Sequence, residues 1–241
     1  PNGAGKSTLI KSMLGLIKPI KGTVKYIDFY ENKDSLSKKF IGYVPQNESV
    51  DWDFPSSVID IVLMGRYGHL GWFKRPKKKD KELAFETLKK VGMESYANRQ
   101  IGQLSGGQQQ RVFLARALVQ QANIYFMDEP FKGVDIQTEK SIIEILKQLR
   151  DDGKTIVVVH HDLNTVKDYF DWVTVINQNV VANGPVDQVF HTENLGIAYK
   201  NPLVELRGSI YIYDRFTITI FKLYFSSCCY RFWLIRIYKW Y

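Results

Sequence analysis

Apolar residues recur along this chain in two rhythms. In segments 6–14, 58–64, 81–91, 108–119 and 135–150 the pattern is helical. Val112, Ala115, Leu118 and Val119 share one apolar face, and Ile142, Ile143, Leu146 and Leu149 share another. Residues 124–127 and 155–159 are instead uninterrupted apolar runs, which suit strands buried on both faces of a parallel sheet. Residues 22–27 alternate like a strand, and 38–44 lead into another that ends at Pro45-Gln46. Segments 172–176 and 180–182 suit a hairpin around Asn177-Gln178-Asn179, and 186–190 and 193–199 suit short helices that close the domain. Pro130 and the turn Gly133-Val134-Asp135 punctuate the middle of the chain. Asp135 is expected to cap the next helix, and Gly153 to stop it. Buried strands alternating with helices predict an α/β fold.

Two stretches break this rhythm. Residues 47–103 read as a helical insertion carried by the main sheet, with a connector rich in Gly, aromatic residues and Lys at 65–79. Asp51, Asp53 and His69 within it are too scattered for ligand spacing, so a solvated or interface role is expected of them. Residues 209–241 are crowded with Tyr, Phe, Trp, Ile and Arg, and Asp214 is their only acid. Aromatic and basic residues together suit a membrane surface. The alternative is sequence outside the native frame. That second reading is preferred because the tail shows neither caps nor a sustained apolar face.

Composition narrows the class without naming a function. The chain is 45% hydrophobic and 24% charged, the make-up of a globular domain. No run approaches the roughly eighteen uninterrupted apolar residues of a membrane-spanning helix, and no secretory leader is expected. The formal charge of +8 could suit nucleic acid, but much of the excess sits in Lys74-Arg75-Pro76-Lys77-Lys78-Lys79 and in the tail. A solvated surface explains it, and no nucleic-acid partner is expected. The only cysteines, Cys228 and Cys229, are adjacent. They form no disulfide framework, which fits a reducing compartment.

Chemistry enters with four short motifs. The chain opens on Pro1-Asn2-Gly3-Ala4-Gly5-Lys6-Ser7-Thr8. Gly5, Lys6 and Ser7 match the end of G-x-x-x-x-G-K-[ST], whose backbone cradles phosphates while its Lys neutralises them and its hydroxyl meets Mg²⁺. Leu104-Ser105-Gly106-Gly107-Gln108 leaves glycine N–H groups at a helix start, which is a second place for an anion. The buried run 124–127 delivers Asp128 and Glu129 at its carboxyl end, where open α/β sheets place their chemistry. The run 155–159 delivers His160-His161-Asp162 at the corresponding end. A phosphate loop, a glycine turn and an acidic pair in this order predict a nucleoside triphosphatase.

PNGAGKST, Gln46 in YVPQ, LSGGQQQR, IYFMDEP, Gly133-Val134-Asp135 and His161-Asp162 together resemble the ATP-binding cassette ATPases, over residues 1–199. VDWDFP, LMGRYGHLGWF, FMDEPF and VVHHDL are similar to the ATPase subunits of bacterial manganese, zinc and iron importers. The resemblance implies a P-loop NTPase sheet with a RecA-like core and an inserted α-helical subdomain. Residues 1–205 would form the nucleotide-binding domain, and 206–241 a tail outside the fold. The strands before the phosphate loop, the first glycine of that loop and the aromatic residue that stacks on adenine are expected to be missing from this chain.

The resemblance also implies roles. Asn2, Gly3, Ala4, Gly5, Lys6, Ser7 and Thr8 would bind ATP. Ser7, Gln46 and Asp128 would hold Mg²⁺. Glu129 would polarise the attacking water, Gln46 would sense metal and water, and His161 would contact the γ-phosphate. Ser105, Gly106, Gly107 and Gln108 would reach the ATP of a second copy in a head-to-tail homodimer, with Asp135 at the subunit contact. Residues 47–103 would dock a transmembrane permease, served indirectly by an extracellular metal-binding protein. The chain would then lie on the inner face of the cell membrane. Lys132 stands where such proteins tend to carry a small residue. A non-transport cassette ATPase and an inactive remnant remain alternative readings.

Overall fold

The computed structural model describes residues 5–22, 24–28, 41–46, 55–70, 75–199, 218–222 and 233–237. Asn2, Gly3, Ala4, Asp51 and Asp53 lie outside the described residues. In chain order the first elements are α1 (Lys6–Met13), β1 (Val24–Asp28), β2 (Ile41–Val44), α2 (Val58–Met64), α3 (Tyr67–Leu70), α4 (Lys78–Lys90) and α5 (Gly106–Leu118). There follow β3 (Ile124–Asp128), α6 (Ile136–Asp151), β4 (Thr155–His160), α7 (Val166–Tyr169), β5 (Trp172–Asn177) and β6 (Asn179–Pro185). The last are α8 (Val186–Val189), α9 (Thr192–Tyr199), β7 (Ile218–Lys222) and β8 (Trp233–Ile237). The chain divides into two compact units, one of Ser37–Lys154 and one of Pro1–Leu36 with Thr155–Tyr241.

In the Ser37–Lys154 unit, β2 and β3 pair in parallel from Ile41↔Ile124 to Val44↔Met127. Every residue of β3 is buried, as its unbroken apolar run predicts. Ile124, Phe126 and Met127 are wholly inaccessible, each contributing about 1.5–3 kcal/mol of burial. Gly42 sits opposite Tyr125. A Cβ there would meet the Tyr125 ring at 2.6 Å, so only glycine lets the ring lie flat across β2. Helix α5 buries Val112, Phe113, Leu114, Ala115, Ala117 and Leu118.

The helical insertion belongs to the same unit. Ser57 caps α2, its hydroxyl accepting from the Asp60 N–H at 3.3 Å. The turn after α2 is fastened to the far end of α5. Gly65 packs so closely there that a Cβ would stand 2.2 Å from the Arg116 carbonyl oxygen. Arg66 Nη1 donates to the Val119 carbonyl at 3.2 Å, and the His69 ring Nε2 lies 2.8 Å from the Gln120 carbonyl. These side chains meet the orphan carbonyls at a helix C-terminus, where cations are favoured. Arg66 Nε also pairs with Asp80 Oδ1 at 3.1 Å. Asp80 in turn accepts from the Lys77 N–H at 2.9 Å and so caps α4. The connector expected at 65–79 therefore holds a short helix and the first turn of α4.

In the other unit, Gly5 precedes α1 with φ 90°, a conformation that favours glycine, and its carbonyl accepts from the Leu9 N–H at 2.8 Å. The β5–β6 hairpin runs from Trp172↔Pro185 to Asn177↔Asn179 and turns at Gln178, whose φ is 59°. Asn177 Nδ2 donates to the Ala198 carbonyl at 2.7 Å and ties α9 to the hairpin. The tail set apart in the sequence contributes two strands to this unit. β7 pairs antiparallel with both β4 and β5, and β8 pairs antiparallel with β1. Among the described residues no helix is long and apolar enough to cross a membrane.

Candidate functional site

The acidic end of β3 is built by its neighbours. Asp128, the last residue of the strand, is 2% exposed. Glu129 follows with φ 51°, a left-handed backbone uncommon outside glycine. Gln46 comes two residues after β2, the parallel neighbour of β3, so both chains leave the sheet at the same edge. There the Gln46 Nε2 amide donates to Glu129 Oε2 at 3.2 Å. Lys132 Nζ stands 3.9 Å from the same oxygen. Tyr43, half-buried on β2, has its phenol pushed up to about 12, first by burial and then by the Asp128 carboxylate. It therefore stays a neutral donor beside a charge.

The glycine turn starts α5 with a reciprocal cap. The Ser105 hydroxyl accepts from the Gln108 N–H at 3.4 Å, and Gln108 Oε1 accepts from the Ser105 N–H at 2.9 Å. Gly106 and Gly107 lie between these bonds, and Gly107 rests against Gly133 and Val134. Asp135 caps α6 as expected, its Oδ1 accepting from the Thr138 N–H at 2.9 Å and its Oδ2 from the Thr138 hydroxyl at 2.6 Å. Those bonds from Thr138 hold the Asp135 carboxyl below the usual range.

Lys6, Ser7 and Thr8 open α1 in the other unit. Lys6 is buried, Ser7 half-buried and Thr8 exposed. His160 ends β4, is 4% exposed, and lies 2.7 Å through Nε2 from the Thr165 hydroxyl. Its ring lies tilted against those of Tyr169 and Phe170. Burial, with a smaller contribution from His161, pushes His160 down to about 4, and Asp162 opposes the shift. Of the two histidines, His160 is thus a neutral packing residue, while His161 is half-buried just past the strand end.

Sequence reading missed two features of the unit Ser37–Lys154. One is the Arg66–Asp80 pair that fastens the insertion. The other is the contact of Lys132 with Glu129, for which the short spacing around Pro130 was the only signal.

The ABC transporter family model matches residues 1–132. The chain is 57% identical over 210 residues to the manganese transport system ATP-binding protein MntB of Bacillus subtilis (strain 168), covering 87% of this chain and 83% of that one. It is 53% identical over 199 residues to the zinc transport system ATP-binding protein TroB of Treponema pallidum (strain Nichols), covering 83% and 74%. Among solved structures, an ABC transporter in an inward-facing conformation is similar with a TM-score of 0.73 at 30% identity, covering 93% of this chain and 85% of that one.

Proposed function

The chain belongs to the ABC transporter family, and from that premise we propose that it is the ATP-hydrolysing subunit of an importer that moves a transition-metal ion through a membrane permease. The metal ion is cargo, and manganese, zinc and iron are the candidates because similar proteins are named for them. Residues 1–205 carry the nucleotide-binding domain, to whose strands β7 and β8 of the tail are paired.

Each site residue then has a task. Gly5 and residues 2–4 wrap the phosphates with backbone N–H groups, and Thr8 extends that contact at the start of α1. Lys6 neutralises the β- and γ-phosphates. Ser7, Asp128 and Gln46 are the residues that would hold Mg²⁺. Their donors are all oxygens, which suits a small hard cation that keeps several waters. Asp128, 2% exposed at the carboxyl end of β3, lies where open α/β sheets place their ligands. Mg²⁺ held there would supply positive charge against the phosphate oxygens. Glu129 orients the attacking water and accepts its proton, with Gln46 holding the carboxylate. His161 donates to the γ-phosphate. Positioning and charge stabilisation supply most of the acceleration in such transfers.

Ser105, Gly106, Gly107 and Gln108 reach the ATP held by a second copy of the chain, and Asp135 lies at that subunit contact. The support for this is that α5 presents its own anion-seeking start in addition to the phosphate loop. The insertion 47–103 meets the permease on the inner face of the membrane, and an extracellular binding protein delivers the ion.

The observation that carries the hydrolytic assignment is the Gln46–Glu129 hydrogen bond beside buried Asp128. It is tested with the transporter reconstituted in vesicles and Mn²⁺ outside. Glu129→Gln should retain bound ATP while phosphate release and Mn²⁺ entry fall at least about a hundredfold. Undiminished phosphate release would refute the assignment.

A further inference from the structure

We propose that Lys132 is a positioning residue for the hydrolytic step: its ammonium, together with the Gln46 amide, fixes one oxygen of the Glu129 carboxylate. This rests on the reading of Glu129 as the residue that orients water. Lys132 Nζ stands 3.9 Å from Glu129 Oε2, the oxygen that also accepts from Gln46 Nε2 at 3.2 Å. The Glu129 side chain is 13% exposed and that of Lys132 is 43% exposed. The carboxylate is thus enclosed, and the ammonium reaches it from the solvent side.

The local backbone brings the two side chains together. Glu129 has φ 51°, and Pro130 follows with its fixed φ. The Lys132 N–H donates to the Glu129 carbonyl at 3.2 Å and closes the turn. Phe131, 7% exposed, pins the turn to the core, and its carbonyl accepts from the Val134 N–H at 3.4 Å. Residue 132 is therefore returned to the side of residue 129 by backbone alone, and only the lysine rotamer sets the contact.

A carboxylate that orients a water must keep its plane still, since rotation about its last bond swings both oxygens. A hydrogen bond and a positive charge that converge on Oε2 from separate segments oppose that rotation and so aim Oε1. At 3.9 Å the ammonium acts as a charge rather than through a short hydrogen bond. A longer guanidinium can take its place, whereas an uncharged side chain of similar volume cannot.

The test is steady-state hydrolysis of Mg-ATP by the intact protein carrying Lys132→Met or Lys132→Arg. Lys132→Met should lower kcat about tenfold with KM for ATP unchanged, and Lys132→Arg should keep the parent kcat. Parent kcat in Lys132→Met overturns the proposal. A raised KM at constant kcat also overturns it, because Lys132 would then be a nucleotide contact. So does an equal loss in both variants. The Glu129→Gln variant separates the two levels of the argument. If it hydrolyses ATP at the parent rate, the reading of Glu129 itself fails. If it is inactive while Lys132→Met is unaffected, only the role given to Lys132 falls.

Discussion

Gln46 donates its side-chain amide to Oε2 of Glu129 at 3.2 Å, across 83 positions of sequence. The two residues meet because β2 and β3 run parallel in register and release their chains at one edge. The bond makes the end of β2 a structural partner of the acidic turn.

Gln46→Ala should therefore impair turnover beyond any loss in folding. A hydrogen bond to a charged group is worth about 1.5–3 kcal/mol, which converts to a fall in kcat of roughly tenfold to a hundredfold. Phosphate release at saturating Mg-ATP measures it. An unchanged kcat would show that Glu129 needs no help from Gln46.

Arg66→Ala should loosen the insertion from α5. It removes the partner of Asp80, which is 8% exposed, and the donor to the Val119 carbonyl. A loss of about 2 kcal/mol is expected in urea unfolding. The Lys77 N–H, then the Arg66 guanidinium, hold the Asp80 carboxyl below its usual value against an opposing effect of burial. Its folded pKa is depressed, so its contribution is complete above the unfolded value and is lost as pH falls through the folded one. Below that range the difference between the parent and Arg66→Ala should shrink to what the Val119 hydrogen bond and the packed stem contribute. A constant difference at all pH values would assign none of the stability to the Asp80 pair.

His160 should make the protein acid-sensitive. Its folded pKa of about 4 lies below the ordinary 6.5. Above pH 6.5 the ring is neutral whether folded or unfolded, and nothing is lost. Between 6.5 and about 4 only the unfolded chain takes up the proton, so stability declines by about 3 kcal/mol and then levels off. His160→Gln should flatten that part of the profile. The readout is the difference between the two proteins in urea midpoint from pH 7.5 to 4. Parallel profiles would remove His160 from the account.

Much of this was legible in the pattern of residues. The unbroken apolar runs at 124–127 and 155–159 became buried strands, since a strand covered on both faces has no polar face to show. Asp135 is the cap expected of it because an Asx side chain satisfies helix donors locally. The insertion was harder. The expected start of a helix at 81 missed its first turn at Lys78, because the lysines there read as solvated loop while Asp80 supplies the cap. His69, expected to be solvated or at an interface, is exposed, and its ring also lies against the Gln120 carbonyl. The contacts of Arg66 with Asp80 and Val119 and of Gln46 with Glu129 depend on how distant segments pack, which periodicity does not encode.

The reciprocal bonds between Ser105 and Gln108 act as a latch on the first turn of α5. They engage the serine hydroxyl and the N–H groups of residues 105 and 108, and between them lie the amides of Gly106 and Gly107. In that latch the hydroxyl accepts, so its O–H can still be given to a phosphate oxygen without releasing the first turn. A triphosphate arriving there would meet a helix start that stays fastened as it binds.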